Sequence, residues 1–248
     1  MIYPIFIPSK GRPNGKTFKI LKAENIHSRI VLEPNDIEAY KANHGGEASY
    51  CSLHERDNGI AFARNFILKT AQSEGIEWFW SLDDDIDGFT ETGLDGKPKK
   101  IAAREALEKA QDIITAVKAA QGAISYSQFT LNKKKPYRMN RRCLIATLNH
   151  VPSLEGVWYD PKCTLKEDID FSLQIMTSGR KTVLCEQLGF RVPVYGTTKG
   201  GCHSLYQLPN IEKQMSQYLM EKWGRGLVTA YLKDSNRYDV KINWKKFD

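Results

Sequence analysis

Trp80-Ser-Leu-Asp-Asp-Asp-Ile-Asp-Gly88 joins the end of an apolar, aromatic run, Glu77–Leu82, to four aspartates within five residues. Carboxylates crowded in this way repel one another, and a purely structural turn gains nothing from them. At the carboxyl end of a parallel strand they make an oxygen-rich site for a hard divalent cation. The plain alternative is a solvated acidic turn in which Asp87-Gly88 supplies turn chemistry.

Upstream of this run, short apolar segments alternate with helical patterns. Ile2–Ile7 is a predicted strand that stops at the turn-rich loop Pro8-Ser-Lys-Gly-Arg-Pro13. A helical stretch near Thr17–Glu24, a strand at Arg29–Leu32 and a helix opened by Pro34 and ending before Gly45-Gly46 follow. Ala48–Leu53 alternates as a third strand. Asn58 caps a predicted helix through Ser73 whose apolar face carries Ile60, Ala63, Phe66, Ile67 and Ala71. Three βα units leading into an acidic strand end predict an α/β fold with a doubly wound, mostly parallel sheet and ligands off the carboxyl ends of its strands.

Downstream, a helix is predicted near Ala102–Ala120, closed by Gly122, with strands at Ala123–Gln128 and Cys143–Leu148. Thr164-Leu-Lys-Glu167 has the form of a capping box opening a helix that ends at Ser178-Gly179. Strands near Lys181–Glu186 and Arg191–Tyr195, a glycine loop to His203 and a last helix near Ile211–Trp223 complete the pattern. No Pro/Ser-rich linker or repeat interrupts it, so one domain over 1–248 is expected, with 204–248 as a helical extension.

The 248 residues carry 36 Lys+Arg against 29 Asp+Glu, a formal charge of +7. The 41% hydrophobic and 26% charged content is ordinary for a globular chain, which excludes disordered and collagenous classes. Apolar stretches are too short to span a bilayer, and Met-Ile-Tyr-Pro-Ile-Phe-Ile-Pro lacks the basic region of a signal peptide. A soluble, cytoplasmic protein without membrane contact is expected. The five cysteines, Cys51, Cys143, Cys163, Cys185 and Cys202, are odd in number and widely spaced, unlike a disulfide framework or a zinc cluster. The basic balance hints at a polyanionic partner.

Three chemistries compete for the aspartates. An EF-hand loop starting at Asp83 would place Leu94 where the bidentate Glu belongs, after a strand instead of a helix, and fails. A haloacid-dehalogenase-like phosphotransferase would use Asp85-Ile-Asp87-Gly88 with Asp85 as nucleophile, but that motif normally closes the first strand of its fold. The third is the Asp-x-Asp element of a nucleotide-sugar glycosyltransferase, whose carboxylates hold a metal on the donor diphosphate.

The order of the loops favours the third. Ile7-Pro-Ser-Lys-Gly-Arg-Pro13, Arg56-Asp-Asn-Gly-Ile-Ala-Phe-Ala-Arg-Asn65, Trp80–Asp85, Lys166-Glu-Asp-Ile-Asp-Phe171 and Gly200-Gly-Cys-His203 together resemble a GT-A fold glycosyltransferase. The Pro-Ser-Lys-Gly-Arg opening and the Glu-Asp-Ile-Asp-Phe-Ser run are most similar to the TET-associated glycosyltransferases, which are encoded mainly by bacteriophages and glycosylate oxidised methylcytosine in DNA. The similarity covers residues 2 to about 205. It implies an inverting, metal-dependent transfer from a UDP-sugar to 5-hydroxymethylcytosine, in the host cytoplasm if the gene is a phage's.

By the same resemblance, Asp85, Asp83 and His203 bind Mn²⁺ or Mg²⁺. Ser9, Lys10, Arg12, Asn58, Arg64, Asp84 and Lys199 hold the donor, with Asp84 facing the ribose. Asp168 is the general base; helix capping explains Glu167 but does not need Asp168. Each has a plainer counterpart: a solvated basic loop for Lys10 and Arg12, a surface pair with Asp57 for Arg64, and a structural role for His203. A protein or small-molecule acceptor, or a non-catalytic DNA-binding module on the same fold, is the alternative function.

The residues themselves suggest where DNA would be held. Lys133-Lys-Lys-Pro-Tyr-Arg-Met-Asn-Arg-Arg142 has six cations in ten residues and no acid. Lys133, Lys134, Lys135, Arg138, Arg141 and Arg142 could meet phosphates while Tyr137 stacks on a base. A solvated hairpin tip is the plainer alternative. Oligomeric state is not legible.

Overall fold

The computed structural model describes residues 1–44, 48–56, 58–93, 95–131, 135–193 and 199–248. In its first half, β1 (Ile5–Pro8), β2 (Arg29–Leu32), β3 (Ser49–Ser52) and β4 (Trp78–Leu82) alternate with helices α1 (Lys16–Ala23), α2 (Ile37–His44) and α3 (Gly59–Ser73). The strands pair in parallel in the order β3-β2-β1-β4. Both faces of this parallel block are covered, so consecutive residues are buried on opposite sides. Ile5, Ile7, Trp78 and Trp80 pack with α1 and, from the second half, α4 (Ala103–Ala116). Phe6, Val31 and Phe79 pack with Ile67, Leu68 and Ala71 of α3. Trp80 is fully buried, and its indole Nε1 donates to Gln111 Oε1 of α4 at 2.9 Å.

The second half adds β5 (Gly88–Thr92), β6 (Pro98–Ile101), β7 (Gln121–Tyr126), β8 (Tyr137–Met139), β9 (Ala146–His150), α5 (Glu167–Thr177) and β10 (Thr182–Arg191). The main sheet reads β3-β2-β1-β4-β9-β7-β10-β5-β6, with β8 on β10. It is mixed: β9 runs antiparallel between β4 and β7, β7 and β10 are parallel, and the β5–β6 hairpin is antiparallel. Beyond it lie α6 (His203–Tyr206), α7 (Ile211–Trp223) and the hairpin β11 (Val228–Leu232)–β12 (Tyr238–Ile242). Among the described residues no helix is long and apolar enough to cross a membrane.

Several local expectations are corrected. The Thr164 capping box does not form: Lys166 occupies the N-cap in the left-handed region (φ 66°), which breaks the required spacing, and Thr164 Oγ1 instead contacts Met215 Sδ at 3.4 Å. Asn58 stands at the start of α3 but its side chain makes no capping hydrogen bond, and its Nδ2 donates to Glu55 Oε2 at 2.6 Å. The strands expected at 181–186 and 191–195 are one strand ending at Arg191, with a register shift between Cys185 and Gly189; residues 194–198 lie outside the described ones. Gly122 sits inside β7 rather than closing α4, which ends at Ala116. The basic loop contains β8, and the extension after 203 carries a hairpin as well as helices.

Candidate active site

β1 pairs with β2 on one side and β4 on the other, so the chain leaves these neighbours in opposite directions and opens a crevice at their carboxyl ends. A cleft of about 1250 Å³ lies there. Its wall comes from the residues following β1, β4, β7 and β10, from those preceding the antiparallel β9 and β5, and from the amino ends of α3 and α5. Ser9, Lys10, Arg12, Arg64, Asp83, Asp84, Asp85, Arg142, Asp168 and His203 all line it.

The aspartate turn is pinned by α1. Thr17 Oγ1 donates to the Asp83 carbonyl at 2.5 Å and accepts from Ile86 N at 3.0 Å. A Cβ on Gly15 would stand 2.9 Å from the Asp84 carbonyl, so only glycine lets the two loops approach this closely. Two arginines then divide the acids. Arg64 Nη2 donates to Asp83 Oδ1 at 2.9 Å, and Arg12 Nη1 reaches Asp84 Oδ1 at 2.8 Å and Asp85 Oδ2 at 3.1 Å. Ser9 Oγ donates to Asp84 and also shares a 2.6 Å hydrogen bond with Tyr40 Oη. Burial pushes the carboxyls of Asp83, Asp84 and Asp85 above their ordinary value despite these arginines. One buried and two half-buried acids therefore face two arginines, and the turn is short of positive charge.

Arg12 ties this turn to the glycine loop. Its Nε donates to the Lys199 carbonyl at 2.9 Å and its Nη2 to that of Gly200 at 3.2 Å. Gly200 has φ 87°, and a Cβ there would meet Arg12 Cγ at 2.7 Å, so conformation and space both demand glycine. The Lys199 side chain is exposed and off the cleft wall, as is Asn58.

Asp168 and Glu167 open α5, where the helix amino end favours carboxylates. Both are buried. Arg142 Nε donates to Asp168 Oδ2. Arg64 Nη1 lies 3.0 Å from Glu167 Oε1, so one guanidinium bridges Asp83 and Glu167. Burial pushes the Glu167 carboxyl up to about 7, outweighing Arg64. The unfolded chain releases that proton near 4.5, so the stabilisation it gives is complete below about pH 4.5 and lost as pH rises through about 7. Glu167→Gln is therefore expected to remove part of the fall in unfolding midpoint between about pH 5 and pH 8, measured by denaturant titration.

Residues beyond 203 hold α5 in place. Asp170 is 0% exposed and accepts from Trp223 Nε1 at 2.8 Å, with Lys222 Nζ at 2.9 Å. Lys166 Nζ pairs with Asp239 of β12 at 2.8 Å. Glu212, Lys233, Arg237 and Asp239 line the outer cleft. No sequence signal marked these residues, because α7 and the hairpin approach the cleft only through tertiary packing. Tyr126 also lines it; its place at the carboxyl end of a sheet strand was a usable signal.

The basic loop is divided. Arg142 belongs to the cleft, Arg138 pairs with Glu186, and Arg141 pairs with Asp248 at 2.9 Å while donating to the carbonyls of Met139 and Asn140. Lys135 Nζ lies 4.7 Å from the Tyr137 ring centroid. Lys133 and Lys134 lie outside the described residues, as does Asp57.

The carboxylates fit a hard divalent cation by donor type and by their shortage of positive charge. Among the described residues, no three His, Cys, Asp or Glu side chains form a ready-made metal-holding group. Two carboxylates completed by substrate phosphates are a common way of binding Mg²⁺.

Among solved structures, the chain is similar to the mannose-1-phosphate geranyltransferase of Thermus thermophilus, at 10% identity over 76% of this chain and 75% of that one, with a TM-score of 0.45. It is also similar to the 4-diphosphocytidyl-2C-methyl-D-erythritolsynthase of Anaerococcus prevotii, at 10% identity over 74% and 86%, with a TM-score of 0.43. No curated protein matches the chain. The family model described as TET-Associated Glycosyltransferase matches residues 3–202.

Proposed function

The chain belongs to the TET-associated glycosyltransferase family, and from that premise we propose that it moves a sugar, with inversion, from a UDP-sugar to 5-hydroxymethylcytosine in DNA. The supporting observation is that one cleft gathers the acidic turn after β4, the arginine-bearing loop after β1 and the buried Asp168 carboxylate at the start of α5.

The donor diphosphate lies against Arg12 and Lys10 and the amino end of α3, where positive charge and helix polarity favour it. Asp83 and Asp85, with His203 at the same wall, would hold Mn²⁺ or Mg²⁺, and that ion would supply positive charge to the leaving diphosphate. The hydroxymethyl oxygen attacks the anomeric carbon from the face opposite the nucleotide. A carbon–oxygen bond forms there as the bond to the diphosphate oxygen breaks, its electron pair leaving with that oxygen. The hydroxyl proton passes to Asp168. Arg142 orients that carboxylate and Arg64 spans the donor side and α5. The hydroxymethyl group of the acceptor projects where thymine carries its methyl, in the major groove.

Incubation with a panel of UDP-sugars and hydroxymethylated DNA, followed by mass analysis of the released nucleosides, tests the reading. A hexose added to hydroxymethylcytidine supports it, and the absence of any added mass across the panel overturns it. Arg142→Gln is expected to lower transfer about 10²-fold through misplacement of Asp168, with donor KM little changed. A loss expressed mainly in donor KM would move Arg142 to the donor side.

A further inference from the structure

Phe129 is 61% exposed, and among the described residues it is the only strongly exposed large apolar side chain that lines the cleft. Leu131, Leu208, Tyr231 and Leu232 are also exposed but lie off its wall. A single exposed apolar side chain is ordinary on a protein surface; what sets Phe129 apart is its place on the cleft wall, where the face of its ring is open to a flat ligand group.

The ring continues an aromatic line from the candidate base. Tyr126, at the end of β7, stands close enough to Arg142 and Asp168 to feel their charges. Phe129 meets Tyr126 edge to face, with centroids 5.9 Å apart, and Tyr126 leans on Phe190 at 4.6 Å. A flat group seated on Phe129 would thus lie on the path to Asp168.

The loop is held rather than slack. Ser127 Oγ and Thr90 Oγ1 share a 2.7 Å hydrogen bond, Ser127 Oγ donates to the Phe190 carbonyl at 3.0 Å, and Thr92 Oγ1 donates to Thr130 Oγ1 at 2.6 Å. Leu131 N donates to the Glu186 carbonyl at 2.8 Å. A Cβ on Gly189 would stand 2.7 Å from Ser127 Cα, so a glycine brings β10 directly under the loop. The hairpin beside the loop carries a cation at Lys100. Thr90 pairs with Lys100 across the β5–β6 hairpin, and directly opposed residues share a sheet face. Exposed Lys100 therefore rises on the face whose Thr90 hydroxyl anchors the Phe129 loop.

We propose that Phe129 is a stacking platform for an unpaired nucleobase of the acceptor strand, with Lys100 on an adjoining phosphate. The inference rests on the DNA-acceptor reading and deepens it: the acceptor base is presented out of the helical stack, from single-stranded or locally opened DNA. Stacking uses the π face that every base has, so the platform seats the base without identifying it.

The test compares a fluorescein-labelled single strand whose only base is one 5-hydroxymethylcytosine, every other position being abasic, with the same strand abasic throughout, by fluorescence anisotropy. The wild type is expected to bind the base-containing strand about 5- to 150-fold more tightly, the worth of one base–aromatic stack. Phe129→Ala should bind both strands alike and Phe129→Trp should restore the difference. Lys100→Ala should reduce the slope of log affinity against log salt by about 0.7. A wild type that does not distinguish the strands, or a Phe129→Ala protein that still does, overturns the platform. Sugar transfer separates the two readings. If the wild type glycosylates the oligonucleotide and Phe129→Ala does so with the same acceptor KM, the platform falls and the transferase reading stands. If the binding difference follows Phe129 while no sugar reaches the DNA, the platform stands and the acceptor chemistry falls.

Discussion

Asp168→Asn is expected to lower sugar transfer by about 10²–10⁴-fold, the usual worth of a positioned proton acceptor. The substitution keeps the shape of the side chain and an oxygen that can accept from Arg142 Nε, so α5 keeps its place. What it removes is the capacity to take the acceptor proton. Donor affinity, read by equilibrium binding of the nucleotide-sugar, should change little, because the carboxylate works on the other substrate. A variant that turns over normally, or one that loses mainly donor binding, would remove Asp168 from this role. Product stereochemistry is an independent check, since retention at the anomeric carbon is incompatible with a single displacement.

Asp85→Asn is expected to cost about 10²-fold or more in transfer and to weaken donor binding with it, because an ion on the leaving diphosphate supplies several kcal/mol of charge stabilisation. Arg12 can still donate to the amide oxygen, so the loss reports the missing charge rather than a collapsed turn. Chelation of the wild type should reproduce the effect, and added Mn²⁺ or Mg²⁺ should reverse it. Full activity in excess chelator would refute the metal.

The parallel half of the fold was legible because its signals are local. Strand-length apolar runs, glycines after the second and third helix patterns and an acidic strand end mark β1 to β4 and the position of the aspartate turn. Ser9, Arg12, Arg64, Asp83–Asp85 and Asp168 were read from loops and helix starts, and one cleft contains them all. The misreadings have both local and tertiary causes. Left-handed Lys166 defeats the capping box at Thr164, and Glu55 takes the Asn58 amide. A charge count cannot tell Arg142, which faces Asp168, from Arg141, which faces Asp248. The β5–β6 hairpin carries too few apolar residues to stand out by period, yet it supports Phe129; β12 alternates as Tyr238-Asp-Val-Lys-Ile242, a usable signal for the hairpin that fastens Lys166.

The segment shared with the family stops at residue 202, whereas the helix bearing Asp168 is tied down from beyond it. Trp223 and Lys222 hold Asp170, and Asp239 holds Lys166. A chain cut after 202 would take Trp223 and Lys222 from Asp170 and strip from α5 the apolar cover given by Leu219, Val228 and Ile242. Kinship and mechanical self-sufficiency thus have different borders in this molecule. Changes confined to residues beyond His203 can re-aim Asp168, the proposed proton acceptor, without altering a single motif by which the family is known.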